Sequence, residues 1–119
     1  MKPFVREVIV VEGKHDISAV RQAVDAYIIT TGGSQLTPER LQHIQTLSAR
    51  IGAIIFTDPD GPGDCIRARL DEALVQSKHA HLSRRAARSP KTGRLGIAHG
   101  SSRTILAALK AAKATFVDP

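Results

Sequence analysis

Two short apolar runs, Val8-Ile9-Val10-Val11 and Ile54-Ile55-Phe56, each stop abruptly in acidic and turn-forming residues. The first runs into Glu12-Gly13-Lys14-His15-Asp16, the second into Thr57-Asp58-Pro59-Asp60-Gly61-Pro62-Gly63. Runs of this length, bounded by turn residues, read as buried strands. Strands buried on both faces belong to a parallel sheet with helices above and below it, and ligands of such sheets gather outside the carboxyl ends of the strands. The chain therefore reads as an α/β fold in which two strands deliver Glu12, Asp58 and Asp60 to one edge of one sheet. Three carboxylates crowded there repel one another unless a cation neutralises them. Hard oxygen donors select Mg²⁺, one ion or two, with Mn²⁺ as a substitute.

The rest of the pattern alternates helices with strands. The first strand is expected over Glu7 to Val11, and a helix from near Asp16 with Ile17, Val20 and Val24 on one face. A strand from Tyr27 to Thr30 leads into the turn Thr31 to Ser34. Thr37 and Pro38 then form a helix start, as N-cap and first helical residue, before the stripe Leu41, Ile44 and Leu47. Ala53 to Thr57 is the next strand, followed by a helix from about Asp64 to Val75 that buries Ile66, Leu70, Ala73 and Leu74. A weaker strand, Lys78 to Leu82, precedes a loop from Ser83 to Arg94. The last helix begins at Ser101 or Ser102 and packs Ile105, Leu106, Leu109 and Ala112. This alternation predicts right-handed crossovers and a mainly parallel sheet of about four strands with helices on both faces.

Composition narrows the class. A chain of 119 residues supports one core, and no stretch approaches the ~20 apolar residues of a membrane helix. The N-terminus shows no signal-peptide pattern. Cys65 is the single cysteine, which excludes an internal disulfide and makes the reducing cytoplasm the expected location. The aromatic residues are only Phe4, Tyr27, Phe56 and Phe116, too few for a module that grips single strands by stacking bases. The net charge of +6 is distributed unevenly. Residues 1–72 hold eight Lys/Arg against ten Asp/Glu, whereas residues 73–117 hold nine Lys/Arg and no acid. A basic half beside an acidic metal edge suits a polyanion; the alternative is a solvated helical face.

Other motifs fail on spacing. Glu12-Gly13-Lys14 lacks the upstream glycine and the following Ser/Thr of a phosphate-binding P-loop. A calcium loop starting at Asp58 would need glutamate at its twelfth position, which is Arg69. The five histidines and Cys65 match no zinc spacing. A receiver-type phosphorylation site would need an acidic pair where the chain has Glu12-Gly13-Lys14. Asp16 reads either as an N-cap or as part of the site. His99, just before a helix start, reads either as a loop histidine or as a phosphate contact.

A Glu-Gly-Lys-x-Asp turn after the first strand and an Asp-x-Asp pair after the third, in that order, resemble the Toprim domain of topoisomerases, primases and some nucleases. The segments Val10 to Asp16, Ile54 to Arg67, Lys78 to Leu82 and Gly96 to Ser101 are together similar to ribonuclease M-five, the bacterial maturase of 5S ribosomal RNA precursors. The resemblance covers nearly the whole chain. It implies a Toprim-type, Rossmann-like three-layer fold and an endoribonuclease that cuts double-stranded precursor RNA bound to a 5S-binding ribosomal protein. Glu12, Asp58 and Asp60 become the catalytic and magnesium-binding acids, with Lys14 and Asp16 completing the first motif. Lys14, Arg84, Arg85, Arg88, Lys91 and Arg94 become the phosphate and RNA contacts. Ala98 stands where the family usually has an acid, and Gly61 where it has an aromatic residue. The family also continues into a C-terminal RNA-binding domain, so the resemblance implies an isolated catalytic domain here, weak in cleavage on its own. A Toprim module that binds nucleic acid or a protein without cutting is the alternative, and a primase- or topoisomerase-related enzyme a more distant one.

Overall fold

The computed structural model describes residues 2–33 and 35–117. Its centre is a parallel sheet in the order β3-β2-β4-β5, formed by β2 (Val8–Val11), β3 (Ile28–Thr30), β4 (Ala53–Ile55) and β5 (Ser77–His79). All four residues of β2 and all three of β4 are buried, as strands covered on both faces must be. Their side chains alternate between two cores. Ile9, Val11 and Ile54 face one helical layer, α1 (Lys14–Ala23) with α5 (Ser102–Ala111), through Val20, Ile105 and Leu109. Val8, Val10 and Ile55 face the other, α2 (Pro38–Ile51) with α3 (Gly61–Ala73), through Ile44, Ile66 and Leu70. The expected three-layer α/β architecture is the one observed.

Helix boundaries depart from expectation in three places. Helix α1 starts at Lys14, so Gly13 and not Asp16 is its N-cap; Asp16 lies one turn in and bonds back to the Gly13 N–H. Helix α3 starts at Gly61, because Asp60 caps it and Pro62 needs no hydrogen bond in a first turn. Within the expected loop Ser83–Arg94, Ser83 caps a one-turn helix, α4 (Arg84–Ala87). The Thr37 cap on α2 is present, with its hydroxyl accepting from the Arg40 N–H at 3.2 Å. Ser34 of the expected turn lies outside the described residues; Gly32 and Gly33 both take positive φ there.

A small antiparallel pair also joins the ends of the chain: β1 (Phe4–Val5) with β6 (Phe116–Val117). Two-residue strands are too short to show a period. Glu7 fastens this pair to the sheet. Its carboxylate accepts from the Thr115 N–H at 2.9 Å, the Thr115 hydroxyl at 2.7 Å and Lys78 Nζ at 2.7 Å. Burial pushes the Glu7 carboxyl up, but Lys78 and Thr115 outweigh it and hold its pKa below the ordinary value. Lys78→Met should therefore destabilise the fold by roughly 2 kcal/mol near neutral pH, less than the full cost of orphaning a buried charge because Lys78 is partly exposed. Because the folded pKa is depressed, the pair's contribution is present above the ordinary value and fades as pH falls through the folded one. Urea unfolding of parent and variant at pH 7 and pH 3 checks this, with the difference shrinking at the lower pH.

Candidate active site

The carboxyl ends of β2 and β4 open onto the same edge, because the two strands are paired in register from Val8↔Ala53 to Val10↔Ile55. Glu12 follows directly on β2, Asp58 lies three residues beyond β4, and Asp60 caps α3. Glu12 and Asp58 are joined across the edge: Glu12 Oε2 accepts from the Asp58 N–H at 2.7 Å. Asp58 Oδ1 accepts from the Ile97 N–H at 2.8 Å. Asp60 Oδ1 accepts from the Gly63 N–H at 2.7 Å. Each of the three acids is thus held by one oxygen on a backbone donor, while its second oxygen accepts no hydrogen bond among the described residues.

Asp16 is placed differently. Its Oδ2 accepts from the Gly13 N–H and its Oδ1 from the Ala98 N–H, each at 3.0 Å. With both oxygens engaged and the residue buried, it braces the turn after β2 against the segment 97–98. Sequence reasoning had no means of finding the donors at Ile97 and Ala98, since backbone N–H groups belong to every residue but proline. Gly96-Ile97-Ala98-His99-Gly100 was visible as a motif, and it forms a 3₁₀ turn over Ile97–His99. The departure at Ala98 falls on a residue whose contribution here is its backbone N–H.

The acids strain one another electrostatically. Burial pushes the Glu12 carboxyl up and the Asp58 N–H pulls it down, while the Asp58 and Asp60 carboxylates push it further, to about 7. Asp16 is also raised, first by burial and then by Asp58. Among the described residues, no three His, Cys, Asp or Glu side chains are gathered closely enough to enclose a metal. The donor set fits a hard divalent cation in its chemistry: three carboxylate oxygens unclaimed among the described residues, and one acid held against its preferred charge.

Among the expected cations, Lys14 is exposed at the first position of α1, against the sign that a helix N-terminus favours. Arg84 lines a cavity with Asp58. Arg85, Arg88, Lys91 and Arg94 lie exposed along the following segment, and Arg88 donates to the Gly93 carbonyl at 3.2 Å. His99 is exposed and lines a separate hollow with His15 and Ser18 against α1. Two site-shaping residues escaped the sequence reading. Gly63 packs so tightly under Asp58 that a methyl group there would run into the Asp58 carbonyl. Arg67, half-buried on α3, feels the charges of Asp64 and Glu12.

Comparison with known proteins identifies the fold family. Residues 7–87 match the Toprim domain family. Ribonuclease M5 of Listeria monocytogenes is 46% identical over 110 residues, covering 92% of this chain and 57% of that protein. Ribonuclease M5 of Bacillus subtilis is 38% identical over 106 residues, covering 89% and 57%. The chain thus spans little more than half the length of these relatives. A solved small Toprim domain protein from Bacillus stearothermophilus superposes with a TM-score of 0.73 at 18% identity, covering 95% of this chain and 93% of that one, which speaks for the fold. With its acids at the carboxyl ends of β2 and β4 and these relatives beside it, the chain belongs to the Toprim family and is similar within it to the ribonucleases M5.

Proposed function

We propose that this chain is the catalytic domain of a metal-dependent endoribonuclease that cuts double-stranded precursor RNA, with precursor 5S ribosomal RNA as substrate and a 5S-binding ribosomal protein as partner. One observation carries the reading: Glu12, Asp58 and Asp60 are each anchored by one oxygen while the other accepts no hydrogen bond among the described residues. The names of the relatives, ribonucleases M5, support RNA as the substrate class. Glu12, Asp58 and Asp60 would hold Mg²⁺ or Mn²⁺. When bound, such an ion polarises a phosphoryl oxygen and lowers the pKa of an attacking water.

The chain's own residues do the rest. Asp16 and the N–H groups of Ile97 and Ala98 fix the acid edge in place. Lys14, exposed beside Glu12, offsets charge that develops on the phosphorane. Arg84, Arg85, Arg88, Lys91 and Arg94 grip phosphates along a duplex, which A-form RNA offers more readily than base edges. Glu12 is a secondary candidate for moving a proton, since a carboxylate committed to a cation is a weak base.

Cleavage of a precursor 5S transcript with Mg²⁺, with and without the 5S-binding ribosomal protein, tests the reading. Cutting is expected to be weak with the chain alone and to rise when the protein is supplied. Asp58→Asn should remove it and weaken Mn²⁺ binding by ~10-fold or more, with RNA affinity nearly unchanged. The open spacing of the acids favours a second reading, a Toprim module that binds nucleic acid without cutting. RNA binding with no cleavage under any of these conditions would establish it instead.

A further inference from the structure

Beside Asp58 a cavity of about 210 Å³ opens between α3 and the start of α4, with Asp64, Arg67, His81 and Arg84 in its walls. Arg67 is held rigidly. Its Nη1 donates to the Ile55 carbonyl and to His79 Nδ1, both at 3.1 Å, and its Nη2 donates to the Ala80 carbonyl at 2.6 Å. A guanidinium has no acceptor, so His79 Nδ1 must be the unprotonated nitrogen, and its Nε2–H donates to Asp71 Oδ1 at 2.9 Å. The chain Asp71–His79–Arg67 thus fixes the guanidinium against the backbone at the ends of β4 and β5.

Three of the five N–H groups of Arg67 are accounted for, and two have no partner among the described residues. Thr57, in the same wall, carries a buried hydroxyl that is likewise unpartnered there. The His81 ring lies nearly parallel to that of His79, with centroids 6.3 Å apart. Partial burial and the neighbouring Arg67 charge hold its pKa below the ordinary value. The hollow sets Arg67 and Arg84 against the carboxylates of Asp58 and Asp64, with the His81 ring beside them, and the unpartnered donors of Arg67 suit an oxyanion better than a base. A preorganised arginine fork matches phosphate geometry at little entropic cost.

We propose that this cavity is a phosphate subsite: Arg67, with Arg84 and His81 at its rim, takes a backbone phosphodiester of the substrate strand next to the one presented to the acids. This rests on the nucleic-acid reading above, and the test separates the two. The ¹⁵N–Hε signal of Arg67 would be followed by NMR while inorganic phosphate, and separately a short RNA duplex, is added. Both probes should shift it saturably. Arg84→Gln, at an exposed side chain, should weaken duplex binding about 3- to 10-fold and reduce the slope of log affinity against log salt by about 0.9. Arg67→Lys, which keeps the charge and loses the fork, should weaken it at least as much. RNA that binds while the Arg67 signal stays still, with an unchanged Arg84→Gln slope, would overturn the subsite and leave the RNA reading intact. A shift with phosphate alone, and no RNA binding, would keep the anion site and sink the nucleic-acid reading beneath it.

Discussion

Glu12→Gln should do two opposite things: cut phosphodiester cleavage on the order of 10³-fold and make the metal-free protein more stable. The first follows because Glu12 supplies one of three unclaimed carboxylate oxygens, and the charge stabilisation a bound cation provides is worth several kcal/mol. The second follows from the Glu12 pKa, raised to about 7 from an ordinary 4.5. A carboxyl whose folded pKa is raised destabilises the fold when ionised. That penalty is absent below the unfolded pKa, grows between the two values and is complete above the folded one. The glutamine amide oxygen still accepts from the Asp58 N–H, so the edge keeps its geometry. A gain of roughly 1–2 kcal/mol is expected near pH 8, after allowance for solvent screening, and none near pH 4. Thermal unfolding in chelator across this range reads it directly. Saturating Mg²⁺ should reverse the order, because it binds and stabilises the folded parent and not the variant. A variant that is no more stable than the parent at pH 8 would mean the acids do not strain one another as described.

Gly63→Ala should have the largest effect on the fold of any single-methyl change at the site. The added carbon would collide with the Asp58 carbonyl and come within 2.9 Å of Asp60 Oδ1. The first obstacle is backbone and cannot swing aside. Relief requires either the turn Asp58–Asp60 or the first turn of α3 to move, at a cost of about 3 kcal/mol. Both routes displace Asp60 from the Gly63 N–H that fixes it, so Mg²⁺ affinity should fall roughly 10- to 100-fold as well. Urea unfolding and a metal titration on the same variant check the two effects together. Gly61→Ala is the control, since a methyl group there meets nothing.

Much of this molecule was legible before any coordinates, and for identifiable reasons. Val8–Val11 and Ile54–Phe56 announced buried strands because a strand covered on both faces has no polar alternation to blur it. Glu12 and Asp58 stood out because a carboxylate beyond such a strand needs a reason to be there, whereas Asp60 has a structural one as well, capping α3. In sequence Asp64 reads as the start of α3, because Gly61-Pro62-Gly63 reads as a turn; the cap at Asp60 turns the same residues into a first helical turn. The pairing of Phe4–Val5 with Phe116–Val117 depends on partners more than a hundred residues apart, which no local pattern encodes. The anchoring of Asp58 and Asp16 was invisible for a different reason: its donors are main-chain N–H groups at Ile97 and Ala98, and the side chains there say nothing about them.

Those two donors also set a timetable. The bond from Ile97 to Asp58 spans 39 residues and that from Ala98 to Asp16 spans 82, with both donors lying past the Toprim match at residues 7–87. Contacts of such separation come late in folding, because the loop must close before they give anything back. A growing polypeptide can therefore lay down its β2, β3 and β4 and present every acid, yet still lack the two amides that orient Asp58 and brace the turn after β2. Until those arrive, the unfinished domain gathers the acids without the amides that align them.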